Sequence, residues 1–264
     1  MSTPVVEEIA SIDDPRVADY REVRERDLVG RAGRFIAEGE VVVRVLARSP
    51  FAGRVRSLFV ARPRRALAEE VAPPGVPIYV ADEALLSAVV GFSIHRGVLA
   101  CGEIGPALAP EALIARARRL VVLEAITNHD NVGGIFRNAA AFGVDGVLID
   151  PATCDPLYRK AIRVSVGGAL LVPFARVPSV AALLPALHAA GVQTIALTPA
   201  ADAVPIDRVP PADRRALLLG TEGRGLDGAM LAAATVRATI PMAAGFDSLN
   251  VATTSGIALY ALQA

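Results

Sequence analysis

Residues 119–138 read RLVVLEAITNHDNVGGIFRN. The apolar run from Leu120 to Glu124 is typical of a strand that is buried on both faces of a parallel sheet. The spacing of apolar residues from Val132 to Phe142 predicts a helix, and the polar residues between the two predict a loop. Because ligands of open α/β sheets bind beyond the carboxyl ends of the strands, this loop and the start of its helix form a candidate site.

The same alternation of apolar runs and helical patterns extends to both sides of this stretch. Further strands are predicted at Gly146 to Ile149, Val172 to Ala175, Thr194 to Leu197, Ala216 to Leu219 and Ala238 to Ile240. Helices are predicted at Ala112 to Arg118, Tyr158 to Val164, Val180 to Ala190 and from about Val251 onward. This pattern predicts an α/β fold with a parallel sheet covered on both faces. We assign residues 119–264 to this domain and residues 105–118 to a linker with the helix that leads into it.

A smaller α/β domain is predicted from residues 1–104. Its strands are predicted at Arg56 to Val60, Val76 to Val80 and Gly97 to Cys101, and its helices at Asp14 to Arg31, Val41 to Ala47, Arg64 to Val71 and Glu83 to Val90, the last with Asp82 as N-cap. The segment from Ile104 to Pro110 is rich in Pro, Gly and Ala, as linkers are, and separates the two domains.

The composition excludes several classes of protein. The 264 residues are 53% hydrophobic and 20% charged, with 27 basic and 27 acidic residues and two cysteines, which argues against a disordered chain and against a small disulfide-rich module. No apolar run is long enough to span a membrane, and the first residues lack the pattern of a secretory signal, so we expect a cytoplasmic protein. Cys101 and Cys154 are expected to be small hydrophobic residues, and three scattered histidines predict no metal site.

The positive charge is almost all arginine and lies mainly near the amino terminus. Lys160 is the only lysine, and thirteen arginines precede residue 66. Two interpretations remain open: a basic surface that contacts nucleic acid, or solvated helix faces on which arginines alternate with acidic residues such as Glu22 and Glu38.

Two more polar segments follow predicted strands. Residues 217–226 read LLLGTEGRGL, in which the glycines allow close approach of a ligand to the backbone and Glu222 supplies a carboxylate. This segment is not a Walker phosphate loop, because Leu226 and Asp227 stand where that motif needs Lys and Ser or Thr. Residues 240–252 read IPMAAGFDSLNVA, where Ser248 and Asn250 are either helix caps or part of a site.

Three segments, Asn131-Val-Gly-Gly-Ile-Phe-Arg137, Gly220-Thr-Glu-Gly-Arg-Gly225 and Ile240-Pro-Met242 with Ser248-Leu-Asn-Val251, resemble in order and spacing the signature motifs of the SpoU (TrmH) family. That family belongs to the SPOUT superfamily and comprises S-adenosylmethionine-dependent RNA ribose 2'-O-methyltransferases. The resemblance implies a deep trefoil knot in residues 119–264 and a homodimer formed through this domain, with the active site at the interface. Residues 1–104 resemble a ribosomal-protein-like fold that binds the RNA substrate, either rRNA or tRNA.

The resemblance also implies roles for individual residues. The presumed catalytic residues are Asn131, Arg137, Glu222, Ser248 and Asn250, and the presumed cofactor contacts are Gly220, Ile240, Met242 and Leu249. No metal is implied. A guanidinium stays protonated below about pH 12, so Arg137 is expected to bind the neighbouring RNA phosphate and to stabilise developing alkoxide charge.

The sequence departs from the family at two places. It has Ala252-Thr-Thr254 where the family usually continues with serine, and Thr127-Asn-His-Asp130 where Asp-Pro is more frequent. Neither departure removes a presumed catalytic group. Two alternatives remain: an RNA-binding or ribosome-assembly protein that kept the fold without catalysis, and a nucleotide-dependent enzyme that uses Gly220 to Gly225 for phosphates. Titration with S-adenosylmethionine and with ATP distinguishes them.

Overall fold

The computed structural model describes residues 5–21, 29, 32–94, 97–221, 223, 225–243 and 248–263. The chain divides into two compact units. The first comprises Met1–Pro106 and Leu157–Leu171, and the second comprises Ala107–Pro156 and Val172–Ala264. The sequence analysis assigned residues 1–104 to one domain, residues 105–118 to a linker and entry helix, and residues 119–264 to the second domain. The structure differs in that Leu157–Leu171 belongs to the first unit.

Both units alternate strands and helices. In chain order the strands are β1 (Val6–Glu8), β2 (Arg34–Glu38), β3 (Val55–Ala61), β4 (Ile78–Ala81), β5 (Val98–Glu103), β6 (Arg119–Leu123), β7 (Gly146–Ile149), β8 (Phe174–Arg176), β9 (Gln193–Leu197), β10 (Val204–Pro205), β11 (Arg215–Leu219) and β12 (Val236–Thr239). The described α-helices are α1 (Glu40–Leu46), α2 (Arg65–Val71), α3 (Glu83–Val90), α4 (Pro110–Arg116), α5 (His129–Ala141), α6 (Arg159–Val164), α7 (Val180–Ala189), α8 (Gly228–Ala233) and α9 (Val251–Ala261).

The first unit is built on a mixed sheet with the strand order β1-β4-β3-β5-β2. β1, β4 and β3 are parallel, whereas β5 runs antiparallel to both β3 and β2. The predicted cap is confirmed, since Asp82 accepts a hydrogen bond from the Leu85 amide at 2.7 Å. The prediction of a helix at Asp14 to Arg31 was wrong for the first part of this range, which forms a 3-10 helix at Pro15–Tyr20. Most of the remainder of the range lies outside the described residues.

Cys101 contributes to the core of the first unit, as predicted. Its side chain is fully buried beside Tyr20 and Phe59. The Tyr20 hydroxyl lies 2.9 Å from the Ser57 carbonyl oxygen and accepts a hydrogen bond from the Cys101 amide. Burial raises the pKa of the Cys101 thiol to about 12, so this cysteine stays protonated and unreactive at neutral pH. Cys154 is half-buried, and both cysteines are free.

The segment Leu157–Leu171 joins the first unit through helix α6, which packs against β2. Arg159 forms an ion pair with Glu38 at the end of β2, and both side chains are largely buried. The Arg159 guanidinium also lies 4.9 Å from the centre of the Phe92 ring. Beyond the helix, a Cβ atom at Gly167 would come within 2.8 Å of the Val45 side chain, so only glycine permits this close approach.

The second unit contains a parallel sheet with the order β10-β12-β9-β11-β6-β7-β8, and the predicted α/β class is confirmed. Its central strands β6 and β11 are paired in register from Arg119 and Arg215 to Leu123 and Leu219. Their apolar residues are buried, as expected for strands covered on both faces. The strand predicted at Val172 to Ala175 begins later, at Phe174. Pro173 lacks the amide hydrogen that a strand interior needs.

The strand order determines where the loops of the second unit meet. β12, β9, β11 and β6 are consecutive neighbours, and all are parallel. The segments that follow these four strands therefore emerge at one edge of the sheet. They include two of the polar segments identified from the sequence and the loop before helix α5.

Candidate functional site

The segment after β11 is a tight turn that depends on glycine. A Cβ atom at Gly220 would lie 2.3 Å from the Gly225 carbonyl carbon, so no other residue fits. The Gly225 amide donates to the Thr221 carbonyl at 2.9 Å and closes the turn. Gly223 and Gly225 have φ angles of 88° and 69°, which L-residues with side chains rarely adopt. These glycines were predicted to let a ligand approach the backbone closely. In the structure, Gly220 lets the two ends of the turn approach each other closely.

This turn forms one wall of a cavity of about 350 Å³. The cavity is lined by Leu197, Thr198, Pro199, Leu219, Gly220, Thr221, Gly223, Gly225, Thr239, Ile240, Met242, Ser248, Leu249, Val251 and Thr254. All four residues predicted to contact a cofactor are in this set, together with Ser248. The lining combines apolar side chains, threonine hydroxyls and backbone groups, and its size is in the usual range for small-molecule sites.

Sequence reasoning missed Thr198 and Thr254 as lining residues. Thr198 follows β9, which pairs directly with β11, so its position beyond a strand end was the signal. Thr254 lies in the first turn of α9, one helical turn after Asn250. It is one of the residues at which the sequence departs from the family.

Asn131 and Asn250 are joined by a hydrogen bond. The Asn250 side-chain amide donates to the Asn131 side-chain oxygen at 2.8 Å, and Asn131 is only 5% exposed. Asn250 also caps α9, where its side-chain oxygen accepts from the amides of Ala252 and Thr253. The N-cap of α5 is Asn128, and Asn131 lies in the first turn of that helix. The capping interpretation is therefore correct for Asn250, which also connects two motifs.

Helices α5 and α9 pack closely because small residues face each other. A Cβ atom at Gly134 would lie 2.6 Å from the Ala252 Cβ. The Asn138 side-chain amide donates to the Ala252 carbonyl at 2.7 Å and to the Ser255 hydroxyl at 2.9 Å. Ala252 is thus part of the contact between two motif-bearing helices.

Arg137 lies on the exposed side of α5 and does not line the cavity of its own chain. Within the described part of the chain, no hydrogen bond or ion pair holds its guanidinium, which leaves it available to an external anion. Glu222 lies outside the described residues. The structure therefore brings together Gly220, Ile240, Met242, Ser248 and Leu249 in one cavity and pairs Asn131 with Asn250, whereas Arg137 stands apart.

Glu124, at the carboxyl end of β6, was not selected as a site residue. Its side-chain oxygen accepts a hydrogen bond from the Asp227 amide at 3.2 Å, next to the glycine turn. Partial burial raises the pKa of this carboxyl, and the nearby Asp150 and Asp227 carboxylates add to the shift. The only signal in the sequence was its place directly after a buried strand.

The described residues contain no group of three or more His, Cys, Asp or Glu side chains suited to hold a metal ion. They also include no helix with the length and apolar character needed to cross a membrane.

Asn250→Ala is expected to destabilise the second unit by about 2 kcal/mol, because it removes the α9 cap and leaves the buried Asn131 oxygen without its donor. Urea unfolding followed by circular dichroism measures the loss. Asn128→Ala, which removes only the α5 cap, is the matched control and should cost about 1 kcal/mol. Equal losses in the two variants would show that the bond to Asn131 contributes nothing.

The parallel sheet, the glycine turn after β11 and the paired asparagines define an α/β domain with a cavity of small-molecule size beyond its strand ends. Comparison with known proteins identifies its kind: the model of the SpoU rRNA Methylase family matches residues 118–260. The chain belongs to this family. The resemblance seen in the three motifs is therefore confirmed.

Individual relatives agree with this assignment. An uncharacterised tRNA/rRNA methyltransferase of Mycobacterium bovis is 40% identical over 97% of this chain and 91% of its own length. The 23S rRNA (guanosine(2553)-2'-O)-methyltransferase RlmP of Bacillus subtilis is 26% identical over 98% of this chain and its entire length. The AdoMet-bound rRNA methyltransferase from Sinorhizobium meliloti superposes with a TM-score of 0.82 at 26% identity, covering 98% of this chain and 97% of that one.

Proposed function

We propose that this protein transfers a methyl group from S-adenosylmethionine to a ribose 2'-hydroxyl of ribosomal or transfer RNA in the cytoplasm. The observation that carries the proposal is the cavity of about 350 Å³, where the second and third family motifs meet. A relative across nearly the whole chain is named as a 2'-O-methyltransferase, and a solved structural relative holds AdoMet.

The lining of the cavity fits this cofactor. Leu197, Ile240 and Leu249 offer apolar surface for an adenine ring, and the turn from Gly220 to Gly225 presents backbone groups that can hydrogen-bond the adenosine. Bound there, S-adenosylmethionine supplies an electrophilic methyl group on a sulfonium. Because it brings its own leaving group, the protein must mainly position the ribose hydroxyl and assist loss of its proton.

The roles of the polar residues follow from their surroundings. Arg137 has an exposed guanidinium, which can bind a phosphate bidentately and stabilise negative charge that develops on the ribose oxygen. The bond between Asn250 and Asn131 orients the start of α9 and the adjacent Ser248 toward the cavity rim. Glu222 is proposed to order the glycine turn. A site built around a 2'-hydroxyl selects RNA over DNA.

The knot and the homodimer are also proposals. The close contact of α9 with α5 and with β11, a central strand, supports a carboxyl-terminal segment threaded into a trefoil knot. Leu249, Ile257 and Tyr260 are exposed apolar residues at and before α9, which supports burial against a second copy. Since Arg137 does not line its own cavity, a second copy would supply it to an active site at the interface.

The first unit is proposed to bind the RNA substrate, although its arginines are less available than their number suggests. Seven of those that precede residue 66 pair with carboxylates of the same unit: Arg16, Arg34, Arg44, Arg56, Arg62, Arg64 and Arg65. For these seven, the interpretation as solvated faces with alternating charges fits better than a bare basic surface. Arg48 and Arg54 have no ion pair among the described residues and are the better candidates for phosphate contacts.

The proposed activity is tested by incubating the purified protein with radiolabelled S-adenosylmethionine and bacterial RNA that lacks the modification. Label in one RNA, at a linkage that resists alkali, is the expected result and identifies both the substrate and the 2'-oxygen. Label at an alkali-sensitive linkage would refute ribose methylation. Failure to bind S-adenosylmethionine in a calorimetric titration would favour the non-catalytic RNA-binding alternative.

A further inference from the structure

We propose that Glu124 is a positioning residue that anchors the glycine turn of the cofactor cavity to the end of strand β6. The inference rests on the proposed function, because it assigns the turn to cofactor binding. It adds a residue from outside the three motifs to the machinery of the site.

The turn has a fixed start and needs a fixed end. At its start, Gly220 continues the paired strand β11, and the Glu124 amide donates to the Leu219 carbonyl at 2.9 Å. Within it, the Gly225 amide binds the Thr221 carbonyl. Beyond it, the Asp227 amide donates to the Glu124 side-chain oxygen at 3.2 Å. Glu124 therefore contacts the chain on both sides of the turn, once through its backbone and once through its carboxylate.

Glu124 is itself held in place by its neighbours. The next residue, Ala125, has a φ angle of 54°, which is strained for a residue with a side chain. The buried Asp150 carboxylate accepts from the Ala125 amide at 3.0 Å and from the Thr153 hydroxyl at 2.6 Å. Asp150, which follows β7, thus fixes the bend at Ala125. This bend positions the preceding residue, Glu124, which holds the glycine turn.

The anchor matters because the described glycines inside the turn, Gly223 and Gly225, pack against little. Gly223 and Gly225 are exposed, and no atom lies within 4 Å of a Cβ added at either position. Glycine also loses more conformational freedom on ordering than other residues. A hydrogen bond from the Asp227 amide to the Glu124 carboxylate, across the base of the turn, lowers this cost before a ligand binds, which is a preorganisation effect on affinity.

Three variants test the inference by calorimetric titration of S-adenosylmethionine. Glu124→Ala is expected to weaken binding about tenfold, because a hydrogen bond to a charged group is lost. Glu124→Gln keeps an oxygen that can accept from the Asp227 amide and should bind within about threefold of wild type. Glu111→Ala removes an exposed glutamate of the same unit and is the matched control, with unchanged binding expected.

Hydrogen exchange without cofactor gives an independent measurement. The amides of Gly225 and Asp227 should exchange faster in Glu124→Ala than in wild type, while strand β6 stays protected. In steady-state assays the KM for the cofactor should rise with little change in kcat or in the KM for RNA.

The possible outcomes separate this inference from the proposed function. If wild type binds no S-adenosylmethionine, the proposed function fails, and hydrogen exchange still tests the anchor. If Glu124→Ala bound S-adenosylmethionine with wild-type affinity and its Gly225 and Asp227 amides exchanged at the wild-type rate, the anchoring role of Glu124 would be refuted. Equal weakening in Glu124→Gln and Glu124→Ala would overturn it as well, because the effect would not then depend on the bond to Asp227.

Discussion

Arg137→Ala is expected to lower turnover about 10²- to 10³-fold while leaving the affinity for S-adenosylmethionine unchanged. The magnitude is typical for the loss of one group that stabilises transition-state charge. Cofactor affinity should persist because Arg137 does not line the cavity of its own chain. Single-turnover methylation of RNA measures the first effect, and calorimetric titration of the cofactor measures the second.

Two further variants make this experiment decisive. Arg137→Lys keeps the charge and loses the planar fork that binds phosphate bidentately, so partial activity is expected. Arg116→Ala removes another exposed arginine of the same unit and should retain full activity. If Arg137→Ala also lost cofactor affinity, the arginine would be structural, and the proposed role in charge stabilisation would be wrong.

Arg159→Ala is expected to destabilise the first unit by about 3–5 kcal/mol, which is the usual cost when one partner of a buried ion pair is removed. The substitution leaves the Glu38 carboxylate, which is 5% exposed, without its counter-charge and removes the contact with the Phe92 ring. Thermal unfolding should shift downward by about 6–20 °C for the transition that reports on the first unit. Hydrogen exchange at the amides of β2 assigns the loss to that unit.

The control for this prediction is an exposed pair in the same unit. Arg65 and Glu69 lie one turn apart on α2 with an N–O distance of 2.8 Å, and Arg65→Ala should cost no more than about 0.5 kcal/mol. The double variant Glu38→Gln with Arg159→Met, which removes both charges, should recover much of the loss. Similar destabilisation by Arg65→Ala and Arg159→Ala would contradict the argument that breaking a buried ion pair costs more than breaking an exposed one.

The parallel sheet could be predicted because its strands are self-evident in the sequence. β6 and β11 are apolar runs of the length of a strand, and burial on both faces is what such runs require. The placement of helix α6 could not be predicted in the same way. Its buried residues, Ala161 and Ile162, show that it covers a sheet but carry no information about which of the two sheets.

The glycines of the candidate site could be predicted from the sequence, but only some of its other residues could. Gly220 and Gly225 stand out because few structural reasons explain so many glycines after a buried strand. Thr198 also follows a predicted strand, but nothing local shows that this strand, β9, lies beside β11. The hydrogen bond from the Asp227 amide to the Glu124 carboxylate joins residues 103 positions apart, and only the folded chain brings them together. The roles of Arg137 and Asn131 came from the family resemblance.

The division of the first unit between two stretches of chain affects how the protein is made. The ribosome releases residues 1–106 first, but the unit is complete only after residue 171 has emerged. At about 5–20 residues per second, residues 107–171 take roughly 3–13 s to synthesise. Until residue 159 has emerged, Glu38 has no Arg159 to neutralise it. The amino-terminal unit of this protein therefore finishes folding only after synthesis of the methylase unit has begun.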